Sequence, residues 1–426
     1  MFSKQDPMRR VLYSLVPIFI WSVYLYGWRV VAVTAVVYLL GILTEFIFEK
    51  SRNKKVTEAV LVTCGLLALS LPPAVPLWVA AVAGVFAVLF GKEVYGGFGR
   101  NVYNPAITGR TFAYISFPLM MQTTWMIPGN WGLGGMNHQV QGSVLLEAGF
   151  MIVLIVALFL VITRNPGNKK LIITSIIVAV ALTIAFYVTI AYAFPYIKDH
   201  RTALNDVDVV ATATPIEIFR GLAQQNNWHQ TVNVFGVPVV LENNNVWALF
   251  FGIRSGAIGE GPIFLILLAG IYLLWTKTAN WRPMIITMVS AAVLTAIFYY
   301  TNVLGGTPGH PGRFPELAVK PDLAGQINDI LRFMMVGSLL FGAVFMSTDP
   351  VSSPKKPVAL WLYGIIIGGV TILIRVYAGF PEGISFGILT ANTFASLLDE
   401  ILPAKKKKTV TKSSAKPAVA DEGGQA

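Results

Sequence analysis

Apolar residues in this chain neither alternate nor recur on one helical face. They come in long unbroken runs separated by short polar stretches. A bilayer core about 30 Å thick takes about 20 apolar residues per helix. By that measure about twelve runs qualify, at roughly 11–28, 30–48, 58–72, 76–91, 106–121, 144–163, 171–196, 246–275 (interrupted near 254–261), 283–302, 331–347, 358–378 and 384–399. The pattern predicts an all-α integral membrane protein with about 12 transmembrane helices. Two polar stretches between runs are long, 197–245 and 303–330. Connections beyond about 15 residues tend to be functional or irregular.

Composition agrees and removes alternatives. Hydrophobic residues make up 55% of the 426 and charged residues only 12%, against roughly 25% charged in soluble domains. That excludes a soluble enzyme, a disordered chain and, with Cys64 as the single cysteine, a disulfide scaffold or a cysteine-ligated metal cluster. No cleavage site follows the first apolar run. The net charge of +11 is a topology signal rather than a sign of nucleic-acid binding. With the N-terminus in the cytoplasm, 22 of the 32 Lys and Arg fall in cytoplasmic segments, as the positive-inside rule requires. Arg110 lies within a span. The alternation puts both termini in the cytoplasm and reads 401–426 as a disordered tail.

The chain contains a repeat. Val94-Tyr95-Gly96-Gly97-Phe98 recurs as Val376-Tyr377-Ala378-Gly379-Phe380. An apolar helix precedes each copy, and a proline break precedes each helix, at 70–76 and at 347–354. Asn104-Pro105-Ala106 and Ala391-Asn392-Thr393 follow downstream. The topology places the two glycine loops on opposite sides, so the repeats are inverted. Inverted repeats with broken helices hold ion or substrate sites near the midplane. The expected organisation is a cytoplasmic N-terminus (1–10), a first membrane repeat (11–121), an outside loop and helix pair (122–196), an outside loop (197–245), a second repeat (246–400) and the tail (401–426).

Carboxylates near membrane spans are costly and default to functional candidates. Four stand out: Glu93, Glu260, Asp349 and Asp399. They supply the oxygen ligands that Na⁺ or a proton needs. Each also has a plainer role open to it: Glu93 as a partner of Lys92 or Arg100, Asp349 as a turn acid before Pro350, Asp399 at headgroup level. Glu260 has apolar sequence on both sides. The four histidines share no metal-like spacing, and no metal site is expected. No nucleotide-binding or nucleophile motif is present, and no catalytic residue set emerges.

Residues 91–106, Gly91-Lys92-Glu93-Val94-Tyr95-Gly96-Gly97-Phe98-Gly99-Arg100-Asn101-Val102-Tyr103-Asn104-Pro105-Ala106, resemble a signature of one membrane family. It comprises the B-type membrane component of the Na⁺-translocating NADH:quinone reductase (Nqr) and the D-type component of the Rnf ferredoxin:NAD⁺ complex. Residues 256–260, Ser347-Thr348-Asp349-Pro350-Val351-Ser352, Ile374-Arg375-Val376 and Pro381-Glu382-Gly383 through Asp399 resemble it too. The resemblance implies a core of ten spans, to which 144–163 and 171–196 add an inserted pair. It implies FMN joined by a phosphoester to Thr214, attached by a flavin transferase that reads Asp208 and Ala213. Ala211 and Thr212 depart from the attachment motif. It further implies that riboflavin can bind in the same chain, that quinone binds nearby with Gly96 and Gly97 as candidates for its close approach, and that Na⁺ or H⁺ crosses the pseudo-symmetric core.

The expected function is a flavin-carrying subunit of a multi-subunit respiratory complex in the bacterial inner membrane, coupling NADH-to-quinone electron transfer to Na⁺ translocation. The Rnf-type counterpart is the alternative. A non-redox secondary transporter or channel fits the repeats and acids as well, and a structural scaffold that anchors redox partners is a second rival.

Overall fold

A computed structural model describes residues 2–126 and 246–402, less a few loop positions, two strand segments at 230–234 and 237–241, and isolated positions between. The expected helix pair 144–163 and 171–196, the flavin segment with Asp208, Ala213 and Thr214, and the tail lie outside the described residues.

The described chain is almost wholly helical. It runs through α1 (Asp6–Tyr26), α2 (Arg29–Ser51), α3 (Ala59–Ser70), α4 (Leu77–Gly91), α5 (Pro105–Ser116), the short α6 (Pro118–Gln122), α7 (Val246–Phe251), α8 (Ile263–Trp275), α9 (Trp281–Tyr300), α10 (Leu323–Met335), the short α11 (Leu339–Phe341), α12 (Pro357–Tyr377) and α13 (Ile384–Ile401). The strands are paired scraps: β1 (Phe2–Ser3) lies parallel to β2 (Val56–Thr57), and 230–234 pairs antiparallel with 237–241. Five described helices are long and apolar enough to cross a membrane, or six if the bent pair formed by α10 and 339–346 counts as one. The chain is a multi-pass membrane protein.

Several expected spans are broken or short. α3 and α5 have 12 residues each, about 18 Å at 1.5 Å per residue, too short to cross alone. The expected interruption in 246–275 is real and falls between Phe251 and Ile263. The expected span 331–347 starts earlier and bends: α10 begins at Leu323, inside the stretch read as irregular, with Asp322 accepting from Gly325 N at 2.7 Å as its N-cap. It then turns by 66° at Val336–Ser338. Beyond the turn, Gly342–Met346 forms a π-helical stretch, a geometry that favours functional sites.

The broken ends are satisfied from elsewhere in the chain. Pro72 and Pro73 cannot continue α3 and hold Leu71 extended. The freed carbonyls of Leu69 and Leu71 accept from Gly259 N at 2.6 Å and Ile258 N at 3.0 Å. Two broken segments thus cap each other. Ser22 of α1 reaches the Ile258 carbonyl (2.6 Å) and Tyr26 the Arg254 carbonyl (2.8 Å).

The most extensive packing recurs in the same order in both halves: α2 on α4 and α4 on α5, then α9 on α12 and α12 on α13. Each interface closes on a glycine, namely Gly84, Gly109, Gly368 and Gly387, because small residues let helix backbones approach in lipid. α5 and α13 also meet, joining the halves.

A methyl group at Gly368 would sit 2.6 Å from the Thr287 carbonyl oxygen and against Ser290, whereas one at Gly369 meets nothing within 4 Å. Gly368→Ala is expected to destabilise the chain by about 1–3 kcal/mol through overpacking. Gly369→Ala is expected to be neutral or slightly stabilising, since alanine is the better helix former. Thermal unfolding of the two variants in detergent checks this; equal losses would refute the packing account.

Candidate functional site

Apolar spans leave few places for charge, and two clusters of buried charge in the described core bear on function. The first level lies at the end of the bundle that carries the N-terminus. Lys92, closing α4, donates to Glu45 Oε2 of α2 at 2.5 Å and to Thr57 Oγ1 at 2.7 Å. Thr57 in turn gives Glu45 Oε1 its amide (2.8 Å) and hydroxyl (2.7 Å). Beside them, Arg52 donates to Glu93 Oε2 at 2.7 Å and to the Glu93 carbonyl at 2.7 Å. Lys92, Glu45 and Glu93 are all buried. The N-terminal segment is tied in: Arg9 and the Gln5 amide bond Glu58, the Arg9 bonds being the larger effect, and together they hold its carboxyl below the usual carboxylate range.

Gly96 and Gly97 form the turn after Glu93, with φ of 104° and 95°, conformations that only glycine adopts easily. The space a Cβ would take at Gly97 belongs to Glu49 Oε1, and at Gly96 to Arg100. A partly open cavity of about 80 Å³ lies next to this turn, among Lys92, Phe98, Asn101, Asn104, Phe345 and Asp349. Asn104 caps α5 by accepting from Ala106 N and Ile107 N and donates to the Met346 carbonyl at 3.2 Å. It thereby joins the first-half glycine loop to the π-helical end of the second. Asp349 accepts from Val351 N (3.1 Å) and Ser352 Oγ (2.7 Å). Burial pushes its pKa up, against those two bonds. Asp399 spends both oxygens on the amides of Lys355 (2.7 Å) and Lys356 (2.8 Å), which are orphan donors at the start of α12.

The second level lies along α5 at Arg110, six residues and about 9 Å of helical rise beyond Asn104. Arg110 is fully buried. It donates to Ser338 Oγ at 2.9 Å and to Glu382 Oε2, and Ser338 also donates to Glu382 Oε2. Glu382 stands in the link between α12 and α13, and Ser338 in the break after α10. Glu260, from the break between α7 and α8, accepts from Ala257 N at 2.8 Å. Its other oxygen, Oε2, is buried without a hydrogen-bond partner among the described residues, and the Glu382 carboxyl is near enough for the two to repel. Arg254 holds the Glu260 carbonyl at 3.1 Å and the Gly337 carbonyl at 3.4 Å. Arg375 holds the carbonyls of Phe333 (3.0 Å) and Val336 (2.7 Å) at the end of α10.

Of the sequence candidates, Glu260 falls in this second cluster, Glu93 in the first, and Asp349 on the wall of the cavity that Lys92 also lines. Asp399 stands apart as a helix-capping acid. Glu93 pairs with Arg52, neither with Lys92 nor with Arg100. Sequence reasoning did not single out Arg110, Glu382, Glu45 or Arg375. Arg110 carried a signal, being a lone cation inside an apolar run. Arg375 and Glu382 stand in the motif stretches that carry the family resemblance, but their roles, like that of Glu45, come only from their partners.

The sequence pattern of the NQR2, RnfD, RnfE family matches residues 2–408. Among curated proteins, the chain is 32% identical over 394 residues to the B-type component of the Na⁺-translocating NADH-quinone reductase of Chlamydia pneumoniae, covering 87% of this chain and 74% of the relative. It is 26% identical over 396 residues to the D-type component of the proton-translocating ferredoxin:NAD⁺ oxidoreductase complex of Clostridium ljungdahlii, covering 92% and 88%. It is 24% identical over 397 residues to the D-type component of the ion-translocating oxidoreductase complex of Actinobacillus succinogenes, covering 92% and 90%.

Removing one member of a buried pair leaves a bare charge behind. Lys92→Met is expected to cost about 3–5 kcal/mol of stability, and Lys92→Met combined with Glu45→Gln to recover most of it. A double-mutant cycle by thermal unfolding measures the coupling. Additive losses would show that the two side chains do not act as a pair.

Proposed function

The chain belongs to the NQR2, RnfD, RnfE family, and we propose that it is the flavin-carrying, ion-conducting membrane subunit of a multi-subunit complex that couples NADH-to-quinone electron transfer to Na⁺ translocation. The observation that carries this reading is the Arg110–Glu382–Glu260 constellation. Carboxyl groups are buried where three broken segments meet, the place where a broken-helix transporter binds its ion. The greater identity to a Na⁺-translocating relative favours the quinone-reductase type. One observation favours the Rnf type: this chain covers 88% of the Clostridium ljungdahlii relative against 74% of the Chlamydia pneumoniae one.

In this reading FMN is esterified to Thr214 by a flavin transferase, in a segment on the outer face of the bacterial inner membrane, with both termini in the cytoplasm. A bound flavin supplies the electron transfer, and the protein supplies position and electrostatics. The cavity beside Lys92 has the chemistry expected for one edge of a second planar ring such as riboflavin: apolar walls, the Phe98 and Phe345 rings, and a few polar groups in Lys92, Asn101 and Asn104. Quinone would approach the Gly96–Gly97 turn at the rim of the same region. The recurrent packing of α2, α4 and α5 and of α9, α12 and α13 supports two inverted repeats as the frame of the ion path. A transporter without redox chemistry would share that frame and lack the flavin.

Co-expression with a flavin transferase, followed by denaturing electrophoresis, is expected to give a fluorescent band for the wild-type chain and none for Thr214→Ala. Fluorescence that survives Thr214→Ala, or a dark wild-type band, would remove the flavin assignment. Na⁺-dependent NADH:quinone turnover by the assembled complex separates the two family types.

A further inference from the structure

The loop after α4 displays apolar side chains at the end of the bundle. Val94 is 61% exposed, Tyr95 37%, Phe98 37% and Val102 44%. The loop lies across the ends of α2 and α4 rather than along the flank of a span. Its turn packs on the last turn of α2, where Arg52 holds both the carboxylate and the carbonyl of Glu93 and Gly97 closes on Glu49. The backbone is fixed from within. Gly97 N bonds the Lys92 carbonyl at 3.2 Å and Gly96 N the Glu93 carbonyl at 3.0 Å. Asn101 Nδ2 bonds the Tyr103 carbonyl at 3.0 Å. A Cβ at Gly99 would meet nothing within 4 Å, so no described residue covers that part of the loop.

Apolar side chains grouped on an exposed surface mark an interaction site, and an apolar centre with aromatic residues inside a polar rim is the anatomy of a protein interface. The rim here is basic. Lys50 and Lys54 flank Arg52 at the end of α2, and Arg100 lies against Gly96. All three are exposed and form no ion pair among the described residues. The acids of the same region, Glu45, Glu49 and Glu93, are buried with Lys92 and Arg52 as partners, so they leave the surface charge positive. We propose that this loop is the docking surface for a water-soluble, cytoplasmic domain of another subunit of the complex, with a contact face that is apolar at its centre and acidic at its rim. Opposite charge at the rims steers and orients such an encounter, and a loop already fixed loses little entropy on docking. Phe98 belongs both to the patch and to the wall of the cavity beside Lys92, so the docked domain sits beside that cavity. The surface rests on the multi-subunit reading above and is independent of the flavin and ion assignments.

The test uses the assembled complex, purified through a tag on this chain. Val94→p-benzoylphenylalanine and Val102→p-benzoylphenylalanine, each irradiated in the intact complex, are expected to cross-link to one subunit, within an acidic water-soluble domain identified by mass spectrometry. Tyr95→Ala is expected to weaken the retention of that same subunit about tenfold, as the loss of an aromatic anchor does. Arg100→Glu combined with Lys54→Glu is expected to lower the NaCl concentration that releases half of it by about threefold. Thermal unfolding of the variant chains in detergent should match wild type, which separates lost docking from lost folding. Cross-links only to phospholipid, to a membrane-spanning segment or to nothing, in a complex that keeps all its subunits, would overturn the docking surface alone, and so would retention that the charge reversals leave unchanged. A wild-type chain that purifies without other subunits overturns the multi-subunit reading and the surface with it.

Discussion

A backbone amide or carbonyl left bare in the apolar layer of a membrane has no water to bond, and each such group costs several kcal/mol. The structure depends on meeting that constraint at its broken helices. The carbonyls at the end of α3 are met by amides of the break before α8. Those at the end of α10 are met by Arg375, and the next by Arg254. Asn104 closes the start of α5 and a carbonyl of the π-helical stretch together, and Asp399 closes the start of α12 from α13. The Val75 carbonyl, in the first proline break, is met by Arg29. Apart from the local Asn104 cap of α5, each comes from a segment distant in sequence, so the breaks hold one another in place.

This explains why a chain so poor in charge spends it where it does. Arg29, Arg254 and Arg375 are structural in the first instance, because a guanidinium offers several donors to backbone carbonyls. Once buried, they must be balanced, since an unpaired charge in the interior is far more costly than a paired one. Glu382 and Glu260 supply the balance for Arg110 and Arg254. The same requirement that closes the broken helices thus concentrates carboxyl groups in one place, around Arg110. Capping and the clustering of buried carboxyl groups are two consequences of one arrangement.

Much of this is legible in the sequence. The proline breaks at 70–76 and 347–354, the interruption at Glu260 and the recurring Val-Tyr motif all fall where the structure breaks or turns. The motif resemblance extends to a family match over residues 2–408. Reading apolar length alone fails at α3 and α5, where an apolar run marks a half-helix buried by protein rather than a full span. It fails again at α10, whose first turns carry Gln326, Asn328 and Asp329. There Asp329 is buried and paired with Lys320 and Arg332, and no run of hydropathy shows that pairing.

The sequence by itself determined the solvent of this protein, its helical class, its family and the short list of acids near its spans. These follow from composition and local order, which act along the chain. Tertiary structure decided which of those acids face each other. Asp399 becomes a cap and Glu93 the partner of Arg52, while Glu260 meets Glu382 across 122 positions of chain. Hydrogen bonds and ion pairs act over a few ångströms, and only the folding of one broken segment against another brings such distant groups within that range.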